Sequence, residues 1–125
     1  MTSDREHPLD FDHANDLLLE SFPELQDAYR RELQVWGKIT LGQYIVYGGL
    51  FASYIETVLD SGEEATALRL FEFVERLAGA PDTRLRDLIA LTVCEQLLND
   101  PPRMAKAGRY MGRLARKVCR ELARG

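Results

Sequence analysis

Apolar residues recur every three or four positions along almost the whole of this 125-residue sequence. One such face, early in the chain, consists of Leu25, Tyr29, Leu33 and Trp36. Side chains three and four positions apart share one face of an α-helix, whereas a strand alternates its side chains between two faces. Turn-forming residues interrupt the pattern at short intervals, as at Ser61-Gly62 and Asp100-Pro101-Pro102. The sequence therefore predicts an all-α fold.

The interruptions divide the chain into about six helices joined by short turns. The predicted helices cover approximately residues 10–21, 23–36, 42–60, 63–78, 83–99 and 101–122. The last four are spaced so that they can pair as antiparallel helical hairpins, in a compact bundle or in a short array resembling an α-solenoid. At this length we expect a single helical domain over residues 10–125, preceded by a flexible N-terminus over residues 1–9.

Polar side chains at the predicted helix starts are expected to act as N-caps. Asp10 or Asp12 precedes the first helix, and Asp82 precedes the fifth. Ser21 and Glu24 have the spacing of a capping box for the second helix, in which each side chain binds the other residue's backbone N–H.

The longest uncharged run extends from Ile39 to Ile55. It is shorter than the roughly 20 apolar residues that a membrane span needs and contains several polar side chains, so we interpret it as a buried central helix. Gly48-Gly49 lies in its middle, where we expect a neighbouring helix to approach closely. A short strand over Ile39–Tyr47 stays open as an alternative, because β-branched and aromatic residues are frequent there.

The chain has two cysteines, Cys94 and Cys119, which are too far apart in sequence for a Cys-x-x-Cys motif. Both fall among apolar residues of predicted helices, which indicates reduced core residues of a cytoplasmic protein. A buried bridge between the two is the alternative. The N-terminus has no basic segment followed by an apolar one, so no secretory signal is predicted.

Charge divides the chain into an acidic half and a basic half. Residues 1–64 hold 13 acids and 4 bases, whereas residues 65–125 hold 7 acids and 12 bases. Four of the bases follow helical spacing along one side of the predicted last helix: Arg109, Arg113, Arg116 and Arg120. Like charges at these spacings repel. Water and salt, an acidic surface on this chain or on a second copy, or an external acidic partner must therefore offset them.

Two further surfaces are candidates for binding a partner. Acidic side chains on the first two helices favour a basic protein, and they include Asp12, Asp16, Glu20, Glu24 and Asp27. Tyrosines are frequent anchors in interfaces, and three lie along the central helix: Tyr44, Tyr47 and Tyr54. Nucleic acid is disfavoured as a partner, because the net charge is −4, the pI is about 5.2 and Tyr110 is the only aromatic residue among the terminal arginines.

No catalytic, metal-binding or cofactor-binding constellation is recognisable. The two histidines, His7 and His13, lie near the N-terminus, and neither pairs with a Cys or Glu at ligand spacing. A Ser-His-Asp or Cys-His arrangement needs a histidine in the structured part of the chain. We therefore expect a binding protein, not an enzyme, with no cofactor and no metal.

Four segments together resemble a family of small bacterial helical domains. They are Ser21-Phe22-Pro23-Glu24-Leu25, Trp36-Gly37, Leu70-Phe71-Glu72-Phe73-Val74-Glu75 and Arg109-Tyr110-Met111-Gly112. Some members of such families are similar to immunity proteins of polymorphic toxin systems, which neutralise a toxin by occluding it. The resemblance implies a structural role for the motifs and assigns no functional residue.

The leading hypothesis is a cytoplasmic immunity protein, an antitoxin that binds and occludes a cognate bacterial toxin domain, itself expected to be basic. The alternative is a helical scaffold or adaptor that docks an acidic protein or nucleic acid through its basic C-terminal helix. The two hypotheses predict different surfaces, because reversing charge at Arg109, Arg113 and Arg116 should abolish scaffold binding and spare toxin neutralisation. No membrane partner is predicted, and a homodimer stays open.

Overall fold

The computed structural model describes residues 7–125 and shows the all-α architecture that the sequence predicts. Within that range the chain forms 7 helices and no strand. They are α1 Ala14–Ser21, α2 Gln26–Trp36, α3 over 43–61, α4 Glu64–Ala78, α5 over 83–98, α6 Pro101–Ala107 and α7 Arg113–Ala123. Residues 1–6, most of the predicted flexible N-terminus, lie outside the described residues.

The caps expected at Asp10 and Asp82 are confirmed. The Asp10 carboxylate accepts a hydrogen bond of 3.1 Å from the backbone N–H of His13, in the short 3-10 turn that leads into α1. Asp82 accepts one of 3.0 Å from the backbone N–H of Arg84 at the start of α5. Its other oxygen accepts a bond of 2.9 Å from the backbone N–H of Phe11. Asp82 therefore caps α5 and also fixes the N-terminal turn to it.

The capping box expected from Ser21 and Glu24 is wrong. Ser21 is the last residue of α1, and a 3-10 turn over Pro23–Leu25 separates it from α2. Glu24 instead accepts a hydrogen bond of 2.7 Å from the Tyr54 hydroxyl on α3. The Glu24 side chain, which the local sequence pattern assigned to a cap, therefore makes a tertiary contact with α3 instead.

A π-helical turn interrupts α3 and another interrupts α5, and these two turns pack against each other. They cover Val46–Phe51 and Ala90–Cys94. A Cβ atom at Gly48 would lie 3.6 Å from the Thr92 methyl group, so the two backbones are close. The Gln96 side chain donates a hydrogen bond of 2.6 Å to the Gly48 carbonyl. The close helix packing expected at Gly48-Gly49 is therefore found at its first glycine.

The middle of α3 is buried, as expected for the central uncharged run. Val46, Tyr47, Phe51 and Ile55 are each at most 1% exposed. The alternative of a strand over Ile39–Tyr47 is wrong, because the chain is helical from residue 43 onward. The strand-forming residues of this segment are accommodated by a helix that is surrounded by apolar neighbours.

Aromatic side chains join the connection between α1 and α2 to α3 and α4. The Phe22 and Phe73 rings meet edge to face at 5.5 Å and 87°, and the Phe51 and Phe73 rings at 5.7 Å and 83°. Edge-to-face pairs at such distances stabilise a core beyond the apolar area that they bury. This cluster holds the N-terminal helices and turns, which carry the five predicted acidic contact residues, on the rest of the domain.

The prediction of one long final helix is wrong. The chain leaves the helical conformation after Ala107 and resumes it at Arg113, so that Arg109 lies in the connection between α6 and α7. The α7 helix begins where Glu75 of α4 accepts hydrogen bonds from the backbone N–H groups of Leu114 and Ala115, both at 2.9 Å. A carboxylate at a helix N-terminus satisfies unpaired N–H groups and is favoured by the helix dipole.

The interpretation of Cys94 and Cys119 as reduced residues is wrong. The structure joins them in a disulfide, with their Cα atoms 5.3 Å apart. α7 packs against the π-helical turn of α5, which brings the two side chains together inside the apolar core. Because the cysteines are joined, they no longer support a cytoplasmic location for the protein.

Candidate functional site

Exposed apolar side chains concentrate over residues 35–45, which we call the 35–45 segment. It comprises the last two residues of α2, the connection to α3 and the first three residues of α3. Its exposed members are Val35, Trp36, Ile39, Tyr44 and Ile45. Ile39 is 92% exposed and Val35 is 78% exposed, values that are unusual for β-branched aliphatic residues. Single exposed hydrophobic residues need no explanation, but a concentration of them marks an interaction site.

A cleft of about 290 Å³ lies between α2 and α3 beside this segment. It is lined by Glu32, Leu41, Ile45, Val46, Gly49, Leu50 and Ser53. No residue of α2 is buried, although the helix has a clear apolar side. The helix therefore rests on α3 without closing the space between them, and an apolar side chain of a partner can enter there.

The three tyrosines predicted as contacts occupy different environments. Tyr44 is 43% exposed, with its ring 6.0 Å from that of Phe11. Burial and the neighbouring Asp87 raise the pKa of Tyr44. Tyr47 is fully buried, and its hydroxyl donates a hydrogen bond of 2.6 Å to the carbonyl of Ala14. The prediction that Tyr47 lies on an exposed face is therefore wrong, because it is a core residue whose hydroxyl is hydrogen-bonded internally. Burial raises the pKa of Tyr47.

Tyr54 is half-buried and engaged with Glu24, so both are fixed by an internal contact. Burial and the hydrogen bond to Glu24 raise the pKa of Tyr54 to about 12. Burial alone would raise the pKa of Glu24, but the hydrogen bond from Tyr54 and the charge of Arg69 bring it below its usual value. The Arg69 guanidinium also donates to the Ser21 carbonyl at 3.1 Å and stacks 5.0 Å from the centre of the Phe22 ring. These contacts stabilise the junction of α1 and α2.

The other predicted acidic contacts are exposed. Asp12, Asp16 and Glu20 follow one another at intervals of four residues along the turn and helix at the N-terminal side. Asp12 lies 3.9 Å from Arg84, and Glu20 lies 2.6 Å from His7. Asp27 pairs with Arg30 of the same helix at 2.6 Å. Exposed pairs of this kind contribute little to stability, so these carboxylates stay accessible to a partner.

The predicted basic row is divided between two elements. Arg113, Arg116 and Arg120 are exposed on α7, but Arg109 lies in the connection before it. The Arg116 guanidinium donates hydrogen bonds to the carbonyls of Gly108 and Met111, and so holds that connection against α7.

Two basic residues of α6 are neutralised within the molecule. Arg103 pairs with Asp60 and Asp100, each at 2.6 Å, and Lys106 lies 3.7 Å from Asp60. The hydrogen bond to Asp60 raises the pKa of Arg103, and the same contact lowers the pKa of Asp60. The basic excess of the C-terminal segment is therefore available on α7 and not on α6.

The described residues contain no group of three or more His, Cys, Asp or Glu side chains placed to hold a metal ion. His13 lies 2.7 Å from Asp10, and this contact raises the pKa of the imidazole and lowers that of the carboxyl. Within residues 7–125, no helix is both long and apolar enough to pass through a lipid bilayer.

Sequence reasoning missed the exposure of the 35–45 segment. The signal was present at Val35, which lies outside the helical stripe formed by Leu25, Tyr29, Leu33 and Trp36. Ile39 lies two residues after Gly37, the C-cap residue of α2, whose positive φ of 63° turns the chain out of the helix. The uncharged run that begins at Ile39 was instead assigned to the core as a whole.

A family model for a domain of unknown function, DUF7674, matches residues 15–124. The chain therefore belongs to this family, which covers every helix except the first residue of α1. Comparison with curated proteins and with solved structures gave no match. Two of the four segments that carry the sequence resemblance lie at internal contacts, since Glu75 caps α7 and the Phe71 and Tyr110 rings stack at 6.2 Å and 14°.

Proposed function

We propose that this protein is an immunity protein that binds and occludes a bacterial toxin domain, and that the 35–45 segment is the centre of its interface. The observation that carries the proposal is the exposure of Val35, Trp36 and Ile39 beside an open cleft. Interfaces bind chiefly through a few large side chains at their centre, and tryptophan is frequent among them. The proposal assigns no catalytic step to the chain.

Two of the four segments that carry the sequence resemblance hold α4 and α7 together and are engaged in internal contacts. The Phe-x-Phe-Val-Glu and Tyr-Met-Gly motifs meet each other through Glu75, Gly112 and the stacked rings of Phe71 and Tyr110. These two segments maintain the scaffold, whereas a third segment of the resemblance, Trp36-Gly37, lies within the 35–45 segment.

The charge near this segment indicates the chemistry of the partner. Asp12, Asp16 and Glu20 give the N-terminal side an acidic surface, and Glu32 lines the cleft itself. Acidic side chains around an apolar centre accelerate the encounter with a basic protein, whereas the apolar centre supplies most of the affinity. We therefore expect a toxin domain with a basic rim around an apolar contact.

The test is binding to, and protection from, the product of the adjacent reading frame. Ile39→Asp introduces a charge at the most exposed apolar position of the segment, and Leu68→Asp makes the same kind of change on α4, where Leu68 is 51% exposed. We expect Ile39→Asp to weaken binding by at least about 100-fold, as for a central contact residue, and to abolish protection of cells. Leu68→Asp should bind as the unmodified protein does.

Both variants should keep the helical circular dichroism and the melting temperature of the parent, because neither side chain packs in the core. No binding by the parent protein would contradict the proposal. Equal losses for Ile39→Asp and Leu68→Asp would also contradict it, since the interface would then not be centred on the 35–45 segment.

A further inference from the structure

The exposed side of α7 carries a row of cations, which we call the basic face. Its members are Arg113, Arg116, Lys117, Arg120 and Arg124. Spacings of four, three and four place residues 113, 117, 120 and 124 along one line, which extends over about 16 Å at 1.5 Å per residue. The opposite side of the helix buries Ala115, Val118 and Cys119. The basic face is therefore held outward by a fixed apolar face and a disulfide.

The cations of the basic face have one acidic neighbour on their own helix, the exposed Glu121, four residues after Lys117 and three before Arg124. The ion pairs among residues 7–125 include none formed by Arg113, Lys117, Arg120 or Arg124. Arg116 is bound to backbone carbonyls. None of these four cations is therefore neutralised by an ion pair within the described residues. Solvent, salt, the dipole at the helix C-terminus or another molecule must offset their repulsion.

The composition of this face favours a phosphate backbone over an acidic protein. A protein interface usually has an apolar or aromatic centre, and α7 exposes no large hydrophobic residue. Tyr110, the nearest aromatic residue, is stacked on Phe71. Arginine predominates in the row, and its planar guanidinium matches phosphate oxygens in a bidentate manner. A helix face with five cations and one carboxylate, Glu121, can bind phosphates through release of counterions, without reading base sequence.

We propose that the basic face of α7 binds the backbone phosphates of nucleic acid in a sequence-independent manner. The expectation that nucleic acid is disfavoured rested on the net charge of −4, the pI of about 5.2 and the presence of only one aromatic residue, Tyr110, among the terminal arginines. In the structure, α7 packs mainly against α4 and α5, whereas the acidic row Asp12, Asp16 and Glu20 lies on the turn and helix at the N-terminal side. At about 0.1 M salt, charges farther apart than about 10 Å are largely screened from each other. Because contacts with phosphates act over distances shorter than this screening length, the local charge of α7 contributes more to binding than the total charge does.

The experiment measures binding of a fluorescently labelled 20-base-pair duplex of mixed sequence by anisotropy, at several salt concentrations. If about four cations contact phosphates, affinity should fall by about 100-fold between 50 and 200 mM NaCl. The variant Lys117→Glu/Arg120→Glu should bind at least about 30-fold more weakly at 50 mM NaCl. The matched control Arg30→Glu/Arg31→Glu, with the same change in net charge at exposed positions of α2, should stay within about threefold of the parent.

Poly-glutamate with the same number of charges serves as the competitor that represents an acidic protein. The proposal is supported if the duplex binds with the expected salt dependence and poly-glutamate competes poorly. It is overturned if the duplex does not bind at 50 mM NaCl, if both double variants lose affinity equally, or if poly-glutamate competes as well as unlabelled duplex. None of these results bears on the 35–45 segment, so this proposal and the proposed function fail independently.

Discussion

The carboxylate of Glu75 occupies the space that a side chain at Gly112 would fill. A Cβ atom built at Gly112 would lie 2.5 Å from Cδ and 2.6 Å from Oε1 of Glu75. Gly112 has φ −80° and ψ −179°, a conformation open to any residue, so its small size is what the structure requires. From this position Glu75 caps α7, and the Phe-x-Phe-Val-Glu and Tyr-Met-Gly motifs thereby form one structural unit.

We predict that Gly112→Ala destabilises the protein by about 1–3 kcal/mol. The added methyl group must displace the Glu75 carboxylate, which leaves the partly buried N–H groups of Leu114 and Ala115 without their acceptor. Urea unfolding followed by circular dichroism measures the free energy of unfolding. Gly49→Ala is the control, because a Cβ there meets no atom within 4 Å and alanine favours a helix interior. A loss at Gly49 as large as that at Gly112 would contradict this explanation.

Glu75→Ala should also destabilise the protein, and it should not add to Gly112→Ala. Once the carboxylate is absent, the methyl group at residue 112 has room, so we expect the double variant to be more stable than the sum of the two single effects implies, by about 1 kcal/mol or more. The measurement is a double-mutant cycle in urea. Additive effects within about 0.3 kcal/mol would show that the two residues act separately.

Removal of the Cys94–Cys119 disulfide should lower the free energy of unfolding. The bridge closes a loop with a sequence separation of 25, for which the chain-entropy estimate is about 3 kcal/mol. Unfolding of Cys94→Ala/Cys119→Ala, compared with the parent with and without dithiothreitol, measures this contribution. A thiol assay in denaturant without reductant should find no free thiol; two free thiols per chain would contradict the disulfide.

Tyr54→Phe should reduce stability by about 1 kcal/mol at pH 7, because it removes the hydrogen bond to Glu24. The pKa of Glu24 in the folded protein lies below 4.5, its ordinary value. The contribution of the carboxylate is therefore complete above that ordinary value and is lost as the pH falls through the lower, folded-state pKa. Urea unfolding of both proteins between pH 3 and 7 should show the difference shrinking toward low pH. A difference that stays constant would assign the effect of Tyr54 to packing.

Apolar periodicity in the sequence predicted the helical segments because each buries a continuous face. Tertiary contacts determined what periodicity could not. The break before α7 depends on Glu75, which lies 39 residues before Leu114 in sequence. The assignment of Glu24 to a capping box failed because its carboxylate accepts a hydrogen bond from Tyr54, which lies 30 residues away in sequence.

The candidate site was predicted only in part, for a similar reason. The sequence identified the acidic row and the cations of α7, since charged residues at helical spacing are exposed wherever the helix packs. It could not separate exposed Tyr44 from buried Tyr47, because both fit the uncharged central run. The exposure of Ile39 depends on how the chain leaves α2 at Gly37, and this becomes visible only with the backbone in place.

Hydrogen–deuterium exchange of the protein alone and bound to the toxin domain tests the central claim most directly. The account predicts slower exchange of backbone amides in the 35–45 segment and along the adjoining cleft, with little change in α4 around Leu68. Protection confined to other surfaces, with the 35–45 segment exchanging as fast as in the free protein, would contradict it.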